Sequence, residues 1–171
     1  MDDRLVRGIV ATKSRGAVSS IEIIVYPYSS EAMANYRGLL TGSSKLRKVF
    51  GSETELPNGM RIVSFNSMYD RRTNGVSLKD STKRYKAFLK EAHRAARDPG
   101  YVPVRGKDVV AEYIFRANGG DLDNKIKAFQ DTLQGIAVAN DKDVSAIIAE
   151  QMPRESGRRE SISVRIFERL Q

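Results

Sequence analysis

Cysteine and tryptophan are absent from this chain of 171 residues, and histidine occurs once, as His93. The lack of cysteine excludes disulfides, zinc–thiolate sites and cysteine nucleophiles. Any Ser-His-Asp triad or multi-histidine metal site would have to be built around His93 alone. The sequence also lacks an apolar run near the roughly 20 residues of a membrane span, and residues 1–4 lack a signal-peptide profile. We therefore expect a cytoplasmic protein whose chemistry depends on carboxylates, lysine and arginine.

Positive charge is in excess, with 29 Lys and Arg against 21 Asp and Glu, a net charge of +8 and a pI near 9.8. Such a balance favours polyanionic partners, namely DNA, RNA or anionic lipid. The length fits a single domain with a hydrophobic core.

Hydrophobic periodicity predicts an alternating order of strands and helices. We expect strands over residues 21–26, 60–65, 109–116, 144–151 and 161–168, and helices within 30–50 and over 81–97 and 123–134. Residues 1–18 show little pattern, residues 51–59 are predicted as a loop, and residues 66–75 as irregular. This order indicates one α/β domain, in which a mixed sheet carries helices mainly on one face.

The predicted helix 81–97 has an apolar stripe and a basic side. Ser81 is expected to cap it, and Asp98-Pro99-Gly100 to end it. The stripe comprises Tyr85, Phe88, Leu89, Ala92, Ala95 and Ala96. The other side carries Lys83, Arg84, Lys86, Lys90, Arg94 and Arg97. Such a face is either simply solvated or, with only Glu91 to interrupt it, suited to a phosphate backbone.

Acidic and amide side chains are concentrated in residues 121–143. Asp121 and Asp123 follow Gly119-Gly120 at a predicted helix start, where either would serve equally well as a helix cap. Lys127 and Asp131 fit an ordinary surface pair one turn apart. Asp141 and Asp143 fit a turn before the next strand.

The combination of these groups indicates phosphodiester hydrolysis. Asp123, Lys127 and Asp131 share a helix face opposite Ile126, Phe129 and Leu133. Two carboxylate clusters beside neighbouring strand ends can hold a cation that activates water, while a lysine neutralises phosphoryl charge. Oxygen ligands without His or Cys favour Mg²⁺, with Mn²⁺ as a substitute.

The spacing D121-L-D-N-x-x-K127-x-x-x-D131-x-L-x-G, followed by N140-D141-x-x-V144, resembles the signature of RusA-family Holliday junction resolvases. The resemblance covers residues 109–152 and extends from residue 60 towards the C-terminus. A weaker similarity links Asn66, Tyr69 and Arg71 to the family's S-x-N-x-x-Y-R segment. We accordingly divide the chain into an N-terminal extension, residues 1–55, and a RusA-like domain, residues 56–171. The extension would belong to the same domain or contact DNA or a second copy.

The resemblance implies a site made of Asp121, Asp123 and Asp141 as metal ligands, with Lys127 as the catalytic lysine. Asn124, Asp131 and Asn140 would orient the ligands or the lysine. Asn140 stands where the family often has an acid, and Asp143 falls outside the ligand set. Family members act as homodimers, leaving a 5′-phosphate and a 3′-hydroxyl. The expected DNA-binding residues are Arg71, Arg72, Lys83, Arg84, Lys86, Lys90, Arg94 and Arg116, which would contact phosphates.

The leading hypothesis is a Mg²⁺-dependent endodeoxyribonuclease that resolves four-way DNA junctions by paired nicks in recombination and repair. One alternative is a DNA-binding protein of the same fold without catalysis. Another is a nuclease acting on flaps, forks or RNA. The intact Asp121, Asp123, Lys127 and Asp141 argue against pure binding, because carboxylates facing phosphates without a metal would weaken it.

Overall fold

The structure is a computed structural model that describes residues 5–14, 17–27, 45–72, 75–105 and 109–170. Two helices and eight strands lie in this part of the chain. Their order is β1 (Leu5–Ser14), β2 (Ala17–Pro27), β3 (Lys45–Glu55), β4 (Tyr69–Arg72), β5 (Gly75–Leu78), α1 (Asp80–Ala96), β6 (Val109–Arg116), α2 (Leu122–Gln130), β7 (Val144–Met152) and β8 (Ser161–Leu170). Neither of these two helices is long and apolar enough to cross a membrane.

Six strands form one mixed sheet in the order β2-β1-β7-β6-β8-β3, and β4 and β5 form a separate hairpin. The two central strands, β6 and β7, run parallel and are joined through α2. The other neighbours in the sheet are antiparallel. A parallel pair needs a crossover connection, so α2 is fixed against the sheet by the same strands that it links.

The main core lies between one face of this sheet and both helices. Alternate residues of β6 point into it, including Tyr113 and Phe115, and both are fully buried. Phe129 of α2 packs edge-on against these rings, with centroids 5.2 and 5.6 Å away. Burying such a side chain stabilises the fold by roughly 1.5–3 kcal/mol. The predicted class, a single mixed α/β domain with helices on one sheet face, is confirmed.

Three predictions for the first 59 residues need correction. Residues 5–14 form a strand rather than a patternless lead-in, and residues 45–55 form β3 rather than helix and loop. β3 is an edge strand that buries only Phe50 and Thr54, so its sequence shows little alternation. The predicted strand 21–26 lies within β2. The part of the predicted helix over residues 30–44 lies outside the described residues.

The strand predicted over residues 60–65 is absent, although the segment does pack on the core. Ile62 is buried, and Met60 and Val63 lie against the same cluster. Its backbone hydrogen bonds are not those of a sheet ladder, because Met60 N donates to Pro57 O and Ile62 N to the Glu160 carboxylate. The predicted irregular segment 66–75 contains a 3-10 turn, Phe65–Ser67, and most of the β4–β5 hairpin.

The two helices differ from prediction at their ends. Lys79 occupies the N-cap of α1 in place of Ser81, and no side chain caps the helix. Its buried positions are Thr82, Tyr85, Leu89 and His93, while Ala95 and Ala96 are exposed. α2 stops at residue 130 rather than 134, and turns lead to Gly135 at φ 75°. The strands predicted over 109–116, 144–151 and 161–168 are confirmed as β6, β7 and β8.

Candidate active site and nucleic-acid interface

Asp121 begins α2 without capping it through its side chain. The chain leaves β6, passes through Gly119 and Gly120 with φ of 74° and 80°, and enters the helix with Asp121 as the N-cap residue. The Asp121 carbonyl accepts from Lys125 N at 3.2 Å, but the carboxylate makes no capping hydrogen bond. Capping therefore does not account for this carboxylate, which is exposed beside a cleft of about 420 Å³.

Lys125, which the sequence analysis did not single out, holds the loop before this helix in place. Lys125 is buried, and its ammonium donates to Gly119 O and to Gln151 Oε1, the latter at 2.6 Å. Burial lowers the pKa of Lys125, although Glu160 and Asp121 nearby oppose that effect. A Cβ at Gly120 would lie 3.2 Å from the ammonium, so the loop closes tightly over it. No pattern in the sequence separates Lys125 from the exposed lysine two residues later.

The predicted exposed face of α2 is present. Asp123 is partly exposed, Lys127 and Asp131 are exposed, and the neighbouring Asn124 is buried. Among the described residues Lys127 and Asp131 do not pair with each other. Instead Asp131 accepts from Lys86 of α1 at 3.0 Å, which links the motif helix to the basic helix.

The segment 64–71, which is weakly similar to the family's S-x-N-x-x-Y-R segment, lies beside α2. The 3-10 turn Phe65–Ser67 packs against α2, and Lys127 Nζ sits 5.9 Å from the centroid of the Phe65 ring. Asn66 and Tyr69 are exposed beside this contact. The structure thus joins two stretches of sequence, about 55 residues apart, on one surface.

Asn140 has a structural task at the start of β7. Its Oδ1 accepts from Lys142 N at 3.1 Å and its carbonyl accepts from Asp143 N, so it caps the 3-10 turn Asp141–Asp143. Val144 begins the strand immediately after this turn. Asn140, which stands where the family often has an acid, therefore uses its side-chain amide to cap this turn.

The two acidic clusters lie at opposite ends of the β6–β7 pair. Arg116, just before the Asp121 loop, pairs with Met152 at the end of β7, whereas Val144, just after Asp141, pairs with Val109 at the start of β6. Eight strand residues separate these ends by roughly 23 Å. No three His, Asp or Glu side chains within the described ranges are placed to hold a metal ion. We expected the three carboxylates to meet where neighbouring strands end. Because β6 and β7 are parallel, the end of β6, which leads to Asp121, lies far from the start of β7, which follows Asp141.

The basic face of α1 is only partly paired. Lys83 pairs with Asp80 and Arg94 with Glu91, each three residues away, and Lys86 pairs with Asp131. Within the part of the chain that the structure describes, Arg84 and Lys90 have no acidic partner. Surface pairs of this kind contribute about 1 kcal/mol or less to stability, so a phosphate can compete with each acid for its cation.

The remaining arginines of the expected DNA-binding set lie on other elements. Arg71 and Arg72 belong to β4, next to the turn that contacts α2. Arg116 lies on the sheet face opposite the helices, where it donates to Ser163 Oγ at 3.0 Å and approaches Glu53 at 3.9 Å. Arg116 is therefore separate from the surface formed by α1 and the 65–72 segment.

The fold and this arrangement define a mixed α/β protein with an acidic, lysine-bearing helix beside a basic surface. A family model described as endodeoxyribonuclease RusA matches residues 60–166, well over half of the chain. The chain belongs to the endodeoxyribonuclease RusA family, as the motif predicted, and this membership supports a Holliday junction endonuclease that binds junction DNA. No curated protein is similar enough to match it.

Proposed function

We propose that this protein is a Mg²⁺-dependent endodeoxyribonuclease that resolves four-way DNA junctions by paired nicks, in recombination and repair. The observation that carries the proposal is the start of α2. Asp121 is released from capping there, and Asp123 and Lys127 share the exposed helix face at the spacing of the matched family. A DNA substrate also supports the expected cytoplasmic location, which stays a prediction.

Asp121, Asp123 and Asp141 are the residues that would hold the cation. Carboxylate oxygens suit Mg²⁺ or Mn²⁺, which would supply an activated water and offset charge on the phosphate. Lys127 would neutralise the negative charge that develops on the phosphoryl oxygens. Asn124, buried beside Asp123, would orient the ligands or the lysine. Asp131 would do so through its bond to Lys86, which also links α2 to α1. Asn140 would fix the turn that presents Asp141.

A homodimer would bring carboxylates from two chains together into one site. Asp121 and Asp123 lie at one end of the β6–β7 pair and Asp141 at the other, so one chain does not complete the set. In a two-fold dimer, Asp141 of the partner subunit would join Asp121 and Asp123, and symmetry would create two equal sites. Two sites related by a two-fold axis suit the paired nicks that junction resolution needs.

The test is cleavage of a synthetic four-way junction and of its linear duplex, each with Mg²⁺ or EDTA. We expect paired nicks in the junction that need Mg²⁺, and a loss of about 10²–10³-fold or more in Asp123→Asn. Asp98→Asn is the matched control, because it removes one exposed carboxylate outside the motif. Tight junction binding without cleavage in Mg²⁺ or Mn²⁺ would favour the non-catalytic alternative. Cleavage of flaps, forks or RNA in preference to the junction would favour the other nuclease.

A further inference from the structure

Two aromatic side chains are exposed next to the motif helix. Phe65 and Tyr69 keep 41% and 39% of their surface exposed, and their rings meet edge-to-face at 6.1 Å. The other large hydrophobic side chains exposed in the described ranges are aliphatic, namely Val76, Val102 and Leu170. Exposed aromatic rings that adjoin basic residues are the usual surface on which proteins stack nucleobases.

The backbone that carries this pair is held in place. Met68, between the two aromatic residues, is buried, and its carbonyl accepts from Lys79 N at 2.9 Å and from the Thr82 hydroxyl at 3.2 Å. The segment is thus tied to the first turn of α1. A fixed platform loses little conformational entropy when a ligand stacks on it.

Lys127 connects the aromatic pair to the proposed active site. Its ammonium lies 5.9 Å from the centroid of the Phe65 ring, a cation–π contact worth about 0.5–1 kcal/mol at an exposed site. A phosphate offers this ammonium a stronger, charge-assisted partner. When Lys127 turns to a phosphate, the ring that it contacted becomes available to the base of the same or the adjacent nucleotide.

A basic cleft adjoins the same turn. It has a volume of about 600 Å³, and Ser67, Ser81, Arg61 and Arg84 contribute to its lining. Arg61 and Arg84 are exposed and pair with no described acid. A strand that crosses the turn 65–67 can therefore place one phosphate in this cleft and the next base on Phe65.

We propose that Phe65 and Tyr69 form a stacking platform for a nucleobase that unpairs at the branch point of the DNA substrate. The proposal rests on the proposed function. Bases inside a continuous duplex are paired and stacked on both sides, whereas a base at a branch point leaves its stack at lower cost. The platform would therefore favour branched DNA over duplex, while the basic surface binds both.

The test compares affinities for a four-way junction and a duplex of equal length, in EDTA so that no cleavage occurs. Phe65→Leu and Tyr69→Leu remove the stacking rings but keep apolar side chains. We expect each to weaken junction binding by about 5–150-fold and to leave duplex binding unchanged, since stacking contributes roughly 1–3 kcal/mol per base. Phe65→Trp should restore junction affinity. Val102→Ala is the matched control, because it alters an exposed apolar side chain outside this surface.

A second readout reports the base itself. With 2-aminopurine at the branch point, the wild-type protein should quench the fluorescence on binding, and Phe65→Leu should not. Unchanged junction affinity and quenching in both leucine variants would overturn the platform, and so would equal losses for junction and duplex. If the wild-type protein itself does not prefer the junction to the duplex, the proposed function fails instead. Thermal unfolding of each variant shows that it is folded.

Discussion

The two ends of the β6–β7 pair use their polar residues in opposite ways. At the end that leads into α2, buried Lys125 bonds to Gly119 O and Gln151 and holds the loop, while the Asp121 carboxylate stays out of the helix cap. At the other end, Asn140 itself caps the turn that begins β7. A carboxylate is available to a cation where other groups hold the backbone. In the proposed site, the first end would offer Asp121 and Asp123 from a helix start held by a buried lysine, and the second would offer Asp141 from a turn held by an amide.

Mixed dimers give the sharpest test of how the two ends combine. If the site joins the first end of one chain to the second end of the other, a heterodimer of Asp123→Asn and Asp141→Asn chains keeps one intact site. We expect each homodimer to lose cleavage by about 10²–10³-fold or more and the heterodimer to nick one strand of the junction. Differently tagged, co-expressed chains allow the heterodimer to be purified.

The control heterodimer combines Asp121→Asn with Asp123→Asn, two changes at the same end. It should stay inactive because every site then lacks one ligand. Inactivity of the Asp123→Asn and Asp141→Asn heterodimer as well would place all three carboxylates in one chain, and the comparison between the two ends would lose its functional meaning.

The two lysines of α2 should separate activity from stability at the first end. Lys127→Met removes an exposed ammonium, so we expect junction cleavage to fall by about 10²–10³-fold. The free energy of unfolding should fall by no more than the roughly 0.5–1 kcal/mol of the contact with Phe65. Lys125→Met removes the ammonium donor from Gly119 O and Gln151, and should lower that free energy by about 1–3 kcal/mol. Urea unfolding and junction cleavage, measured on both variants, check this. A reversed pattern would show that Lys125 is the lysine that acts on DNA.

His93 makes the packing beyond α2 sensitive to pH. Its Nε2 bonds to the Thr132 hydroxyl, which itself donates to Phe129 O, so Nε2 carries the proton. Nδ1 has no hydrogen-bond partner within the described residues. Burial lowers the pKa of His93 to about 4 from its ordinary 6.5.

Because the folded state binds the proton more weakly than the unfolded state, the stabilisation is complete above pH 6.5 and declines as the pH falls towards 4. We expect a loss of about 3 kcal/mol over this interval, at 1.36 kcal/mol per pH unit. Urea unfolding at several pH values measures it, with His93→Gln as the control. An equally steep decline in that variant would assign the effect to other groups.

Asn140→Ala should have the smallest effect. Loss of the cap costs about 1 kcal/mol, typical of N-cap substitutions, and cleavage should persist at a reduced level because Asp141 remains. Asn140→Asp restores a capping oxygen and supplies the acid that the family often has there. If Asn140→Ala instead abolishes cleavage at full stability, the amide itself acts on the metal or the DNA beside Asp141.

The sequence predicted the central part of the fold because its signals there are local. β6 places Val109, Ala111, Tyr113 and Phe115 at every second position, α2 has an apolar stripe, and the acidic motif marks the helix start. β3 was missed because an edge strand buries few side chains, and its place is set by pairing with β8. The opposite positions of Asp121 and Asp141 follow from the parallel direction of two strands, which side-chain spacing alone does not specify. The contact of Lys127 with Phe65 is likewise a product of tertiary packing.

The strand order places β1 and β3 beside the strands of the family match. β1 pairs with β7 and β3 pairs with β8, so segments outside the family match cover both margins of the three strands β7, β6 and β8. A chain shortened to residues 60–171 would present two rows of unpaired backbone amides and carbonyls, which invite pairing with other molecules. The N-terminal strands move the open edges of the sheet outward to β2 and β3, so the pairing positions beside β7 and β8 are already occupied.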